Sequence, residues 1–135
     1  MSRLDGKTAV VSGAARGLGR AFAEALAGAG THVIAFDIAS NMPAVASEIA
    51  AATGGRVDGV VADVSQRADC ERIVAHAVAA GGGIDVLVNN AGVWRETPVD
   101  SDWEIALADW DYIMDTNLKG VLMLSRAAIP HMKGR

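Results

Sequence analysis

The sequence predicts a three-layer α/β fold, a doubly wound parallel sheet between two layers of helices. Three observations carry that reading. Short apolar runs of buried-strand character alternate with segments of helical periodicity. Glycines cluster where the first strand turns into the first helix. Hydrophobic residues make up 51% of the 135 positions, but aromatics only 4%, and such an Ala- and Gly-rich composition suits close helix-on-sheet packing better than an aromatic-rich sandwich.

The elements follow in order. Thr8–Ser12 is a short apolar run closed by Gly13, as a strand buried on both faces requires. From Gly17 onward Leu18, Phe22 and Leu26 recur every four residues with Ala21, Ala25 and Ala29 beside them, one face of a helix ended by Gly30. His32–Phe36 is a second strand ending at Asp37. A helix over Met42–Ala52 is broken by Gly54 and Gly55, and Val57–Val61 is a third strand. Gln66–Ala80 is a third helix, stopped by three glycines, and Ile84–Val88 a fourth strand running into Asn89-Asn90-Ala91-Gly92. After an irregular stretch a long helix runs from about Leu107 to Ile129. Strands and helices alternating at this spacing imply a parallel sheet with right-handed crossovers, for which the doubly wound fold gives the strand order 3-2-1-4. No repeat, low-complexity tract or linker divides residues 1–135, so one domain is expected.

Composition narrows the partners. The net charge is −4 with acidic and basic residues interspersed, which leaves no electrostatic footprint for nucleic acid. The single cysteine, Cys70, forms neither an internal disulfide nor a zinc site by itself and reads as a free thiol in a reducing compartment. His32, His76 and His131 show no ligand spacing, so no metal is expected. The N-terminus lacks the apolar run of a signal peptide and no stretch reaches membrane-spanning length, so a cytoplasmic location is expected.

The chemistry-bearing signal is Ser12-Gly13-Ala14-Ala15-Arg16-Gly17-Leu18-Gly19 at a strand-to-helix turn. Gly13 permits the tight turn, and Gly17 and Gly19 remove side chains where a pyrophosphate approaches the backbone. The helix N-terminus adds donors and a positive dipole end. The spacing is G-x-x-x-G-x-G, not the general G-x-G-x-x-G, and a bare strand–helix connection competes with phosphate binding. Asp37, eighteen residues beyond Gly19, sits where a carboxylate accepts hydrogen bonds from an adenosine ribose and repels a 2′-phosphate. A strand-end cap is the alternative. No Arg or Lys directly follows Asp37, so NAD is favoured over NADP; Arg16 alone points the other way.

With these residues the sequence resembles the short-chain dehydrogenase/reductase family, whose fold is of Rossmann type. Ser12 to Gly19 is similar to its T/S-G-x-x-x-G-x-G loop and Asp63-Val64 to its Asp–Val pair after the third strand. Asn89 to Gly92 is similar to its N-N-A-G motif, and Trp110-Asp111 through Asn117-Leu118-Lys119-Gly120 to the helix bearing its catalytic Asn. The four motifs, in order, span Gly6 to Gly120. The resemblance implies cofactor contacts at Gly13, Arg16, Gly17, Leu18, Gly19, Asp37, Asp63, Val64, Asn90, Ala91 and Gly92. Asp63 would meet the adenine amino group and Asn90 the cofactor ribose, while Asn89 would tie neighbouring strands. Asn117, in phase with Ile113, Val121, Leu124 and Ala128, falls on the face expected to be buried, where an unpartnered amide costs a few kcal/mol. In the family this Asn bends its helix and helps hold a water in a proton relay.

The remaining conspicuous residues carry blander expectations. Trp103 and Trp110 read as packing, and Asp100, Asp102 and Glu104 as a solvated loop and helix start. Trp94 and Arg95, just after the N-N-A-G turn, are candidates for facing substrate.

The family passes a hydride between nicotinamide and a carbinol or carbonyl carbon, with a Tyr as general acid/base, a Lys at Y-x-x-x-K and a polarising Ser. Here the one tyrosine, Tyr112, is followed at that spacing by Thr116 and precedes Asn117. The chain as given therefore carries a cofactor-binding half, truncated after the helix bearing Asn117 and inactive alone. Two functions stay open: an NAD-dependent oxidoreductase acting on a small alcohol or carbonyl compound, homo-oligomeric when complete, or a catalytically silent NAD-binding or partner-binding fragment. The fourth strand and the long helix are expected to expose apolar surface.

Overall fold

A computed structural model describes residues 4–135. Four parallel strands, β1 (Thr8–Ser12), β2 (His32–Asp37), β3 (Val57–Val61) and β4 (Val86–Val88), form one sheet in the order β3-β2-β1-β4. The register pairs Val10 with Ile34 and with Leu87, and Ala35 with Gly59. Every β1 residue is buried, because helices cover both faces of the strand. Successive side chains face opposite ways and so feed two cores. Val10, Ile34 and Phe36 join Ile73, Ala77, Ile84, Leu124 and Ala128 on one face. Val11, Val33 and Ala35 join Ala23, Ala27, Met42 and Ile49 on the other.

Helix α1 (Gly17–Gly28) corrects one expectation. The large residues Leu18 and Phe22 are exposed, and the face on the sheet is Gly19, Ala23 and Ala27. Helix and sheet approach closely here, so small side chains win the contact. Helices α2 (Met42–Thr53) and α3 (Arg67–Gly81) end where Gly54 and Gly82 take the left-handed conformation.

The long helix also departs from expectation. It begins at Trp103, not near Leu107, as α4 (Trp103–Met114), with Glu104 in its first turn. It widens into a π-helical segment over Asp115–Lys119 before continuing as α5 (Gly120–Ala128). Helix α4 has no buried residue; Trp103 is 78% and Trp110 62% exposed, so neither packs as expected. The fourth strand starts at Val86, and Ile84 ahead of it donates its N–H to the His131 carbonyl. Among the described residues no helix is long and apolar enough to cross a membrane.

Candidate functional site

The carboxyl ends of the four strands open on one cleft of about 770 Å3, within the range of small-molecule sites. Each of the eleven residues named above as cofactor contacts lines it; Asn117 does not. The sheet order does this: the β1–α1 loop, Asp37 after β2, Asp63 after β3 and Asn90 after β4 converge at the point where chain direction along the sheet reverses.

The glycine loop is fixed from beneath. Gly13 takes a left-handed φ of 66°, and a Cβ there would lie 2.9 Å from the Ala91 Cα. A Cβ on Gly19 would overlap the Gly13 carbonyl oxygen and press on Asn90 Nδ2, whereas above Gly17 there is open space. Glycine thus serves two ends in one loop: close packing at Gly13 and Gly19, and an uncovered backbone at Gly17. Arg16, at the N-cap, makes no side-chain cap, and the first N–H groups of α1 have no acceptor within the helix.

Ser12 and Asn90 join β1 to β4. The Ser12 hydroxyl accepts the N–H groups of Asn90 (3.0 Å) and Ala91 (2.9 Å) and donates to the Val88 carbonyl (3.4 Å). Asn90 Nδ2 donates to the carbonyls of Ser12 (3.1 Å) and Gly13 (3.2 Å). The role expected of Asn89 therefore falls to Asn90. Asn89, one residue earlier, faces the other side of the sheet and donates instead to Ser125 Oγ at 3.0 Å.

Two of the carboxylates that line the cleft, Asp37 and Asp63, are held by the turns around them. Asp37 Oδ2 accepts the Ala15 N–H and Oδ1 the Ala39 N–H, each at 3.0 Å, which fixes the side chain between the glycine loop and the turn after β2. Asp63 Oδ1 accepts the Ser65 N–H (2.9 Å) and hydroxyl (2.7 Å). Val64 is buried beside it, and a Cβ on Gly120 would lie 2.9 Å from Val64 Cγ1, so glycine lets α5 pack against this turn.

At the far end, Asn117 sits within the π-helical segment and is exposed, contrary to the buried face expected. The wider turn rotates it out of phase with Leu124 and Ala128. Its amide still finds partners: Oδ1 accepts the Val93 N–H at 2.7 Å and Nδ2 donates to the Val93 carbonyl at 2.8 Å. One side chain thus fastens the segment after the N-N-A-G turn to the helix. Trp94 is 77% exposed, and Arg95 is spent inside the chain, 3.7 Å above the Tyr112 ring and paired with Asp109 at 3.2 Å.

Sequence reasoning missed several groups. Tyr112, Asp115 and Thr116 line the cleft from the long helix, and Ser12 and Asp69 hold its turns. An acidic residue in the first turn of α3 was the available signal for Asp69; nothing in the sequence marked Tyr112 as facing the cleft.

Known proteins resemble this sequence and share this fold. The sequence model of the family described as short chain dehydrogenase matches residues 7–135. The chain belongs to that family. The short-chain dehydrogenase chain is 39% identical over 137 residues to the hydroxyacyl-CoA dehydrogenase ChsB1 of Mycobacterium tuberculosis, covering 98% of itself and 42% of that protein. It is 38% identical over 131 residues to the 3-oxoacyl-[acyl-carrier-protein] reductase FabG of Thermotoga maritima, covering 96% of itself and 52% of that relative. Among solved structures, a short-chain dehydrogenase/reductase of Burkholderia phymatum in complex with NAD superposes with a TM-score of 0.88 at 36% identity, over 99% of this chain and 47% of that one. The short-chain dehydrogenase chain thus spans about half the length of these relatives.

Proposed function

We propose that this chain is the cofactor-binding half of an NAD-dependent oxidoreductase acting on a secondary alcohol or ketone. The observation that carries the reading is Asp37. Its carboxylate lines the cleft with both oxygens anchored by main-chain donors, and Ile38 and Ala39 follow it without a cation. A carboxylate so placed accepts ribose hydroxyls and opposes a 2′-phosphate.

The residues present fit the cofactor. The open backbone at Gly17 and the N-terminus of α1 would take the pyrophosphate, Asp37 the adenosine ribose, Asp63 and Val64 the adenine, and Asn90 to Gly92 the second ribose. NAD supplies hydride acceptance or donation when bound. What the chain's own residues do is bind and orient: Asn90 holds the glycine loop against β4, and Asn117 holds Val93 against the helix. Asn117 does this as a positioning residue, and the proton-relay role stays an implication of the resemblance. No Tyr and Lys stand at four-residue spacing after Asn117, so this chain alone holds cofactor and does not turn it over. A cytoplasmic location and homo-oligomeric assembly of the complete protein belong to the same proposal.

Calorimetry with the two cofactors tests the reading. NAD is expected to bind at least roughly tenfold more tightly than NADP, since opposed anions in a partly exposed site differ by about 1–3 kcal/mol. Asp37→Ala is expected to narrow the gap. Equal or tighter binding of NADP by the unaltered chain would overturn it.

A further inference from the structure

The turn after β3 is held by a residue that makes no contact with the cleft. Asp69, in the first turn of α3, accepts the Asp63 N–H on Oδ2 at 2.8 Å. Its Oδ1 accepts Arg72 Nη2 at 3.0 Å, and the same nitrogen donates to the Val61 carbonyl, also at 3.0 Å. One carboxylate and one guanidinium thereby bind the last residue of β3 and the turn beyond it to α3.

An acidic residue in a helix's first turn has a blander role, capping the free N–H groups there or complementing the helix dipole. The geometry argues against that role as the whole account. A capping acid reaches back to the N-cap N–H, here that of Gln66, but that N–H donates to the Asp63 carbonyl at 3.0 Å. Asp69 passes over the N-cap and takes the N–H three residues earlier. The Asp63 main chain is therefore held at its N–H by Asp69 and at its carbonyl by Gln66. Its side chain is held at Oδ1 by Ser65, and among the described residues nothing donates to Oδ2. The bond from the Asp63 N–H, with a smaller contribution from Arg72 against the cost of partial burial, keeps the Asp69 carboxyl below its ordinary range and so charged at neutral pH.

We infer that Asp69 is a positioning residue for adenine recognition: it fixes the Asp63 main chain so that the free Asp63 oxygen meets the exocyclic amino group of the adenine. The inference rests on the proposed reading of the cleft as an NAD site with adenine at Asp63.

Nicotinamide hypoxanthine dinucleotide separates this from a structural role. It carries a carbonyl oxygen where adenine carries the amino group, and an N1–H where adenine N1 is bare, and so sets an acceptor against the Asp63 carboxylate at the place of the amino group. By calorimetry the 135-residue chain should bind NAD roughly ten- to a hundredfold more tightly than the hypoxanthine dinucleotide, as expected of a hydrogen bond to a charged group. Asp69→Ala should reduce that ratio to about threefold or less, while Asp69→Asn, which keeps an oxygen for the Asp63 N–H, should retain most of it. Arg72→Met, a milder change at an exposed side chain, should lower the ratio partway and serves if Asp69→Ala does not fold. Thermal unfolding is recorded alongside. A residue that merely stabilises the helix would lower Tm and leave the ratio alone. An unchanged ratio in folded Asp69→Ala, or in Arg72→Met where only that variant folds, would overturn the inference and leave the NAD reading standing. Equal binding of both dinucleotides by the unaltered chain would remove the adenine reading and the inference with it.

Discussion

The two ends of the cleft are built to different standards. At the glycine-loop end, β1 to β3 are backed by buried cores on both faces, and Asp37 and Asp63 are each held by two donors. At the other end, α4 buries nothing, Trp94 is bare, and the segment beyond Gly92 is held to the helix by the exposed amide of Asn117 and by Arg95 and Thr97 on Asp109. On the proposed reading cofactor affinity resides at this rigid end, since preorganised groups lose little freedom on binding. The same reading makes cofactor binding separable from chemistry.

The largest expected effect breaks the rigid end. A side chain at position 19 has no room, since its first carbon would overlap the Gly13 carbonyl oxygen and crowd Asn90 Nδ2. Gly19→Val is expected to cost about a hundredfold or more in NAD affinity by pushing the loop off Asn90, because displaced loops forfeit several contacts together. Titration followed by intrinsic fluorescence measures it. Affinity within about threefold of the parent would show that the loop tolerates displacement, and that its rigidity does not set binding.

The opposite end of the sheet, at the amino ends of β1 and β4, sharpens the comparison, because it is just as tightly held and touches no part of the cleft. Asp85, 7% exposed, accepts Lys7 Nζ at 3.1 Å, the Thr8 N–H at 2.9 Å and Arg135 Nη2 at 2.8 Å. Burial alone would raise its pKa, but the bonds from Arg135, the Thr8 N–H and Lys7 outweigh it and bring the carboxyl down to about 2. A carboxyl lowered on folding contributes stability above its unfolded value near 4 and loses it as pH falls towards the folded value. Asp85→Asn should therefore cost about 2 kcal/mol at neutral pH, with the difference from the parent shrinking between about pH 4 and pH 2. Urea unfolding across that range reads both, and NAD affinity should stay put. A pH-independent difference would mean that packing, not charge, is lost.

What the sequence disclosed follows the same division. Periodicity and glycine placement disclosed β1 to β3 and the loop, because there the local pattern and the global fold ask for the same residues. Asp37 and Asp63 were legible as strand-end carboxylates. The start of α4 and the exposure of Asn117 were not. A regular 3.6-residue period carries Asn117 onto the buried face, and nothing in Asp115–Lys119 announces a wider turn. The large residues of α1 misled for a related reason. Spacing reveals a face but not which face meets the sheet, and close approach selected Gly19, Ala23 and Ala27 over Leu18 and Phe22. Asp69 was readable only as a helix-start acid, since its partner's N–H lies beyond the helix.

The smallest expected effect on affinity lies at Asn117. Its amide makes two hydrogen bonds to one residue, Val93, from an exposed position, and water can replace each. Net, such bonds contribute about 0.5–1.5 kcal/mol apiece when solvent competes. Asn117→Ala should free the Val93–Arg95 segment while leaving the glycine loop, Asp37 and Asp63 where they are, because none of these contacts Asn117. NAD affinity should change by about threefold or less. Local order should change far more: the Val93 N–H, now shielded by the Asn117 oxygen, should exchange with solvent faster by roughly tenfold. Trypsin should cut sooner after Arg95 as the segment loosens. Hydrogen exchange, proteolysis and a cofactor titration on one preparation decide it. Should the variant lose NAD binding as severely as Gly19→Val, the two ends of the cleft would be coupled through the N-N-A-G turn, and binding would not be separable from the segment around the reacting centre. Should exchange at Val93 stay slow, the π-helical segment itself would be holding the strand-end turn, with the Asn117 amide incidental to it.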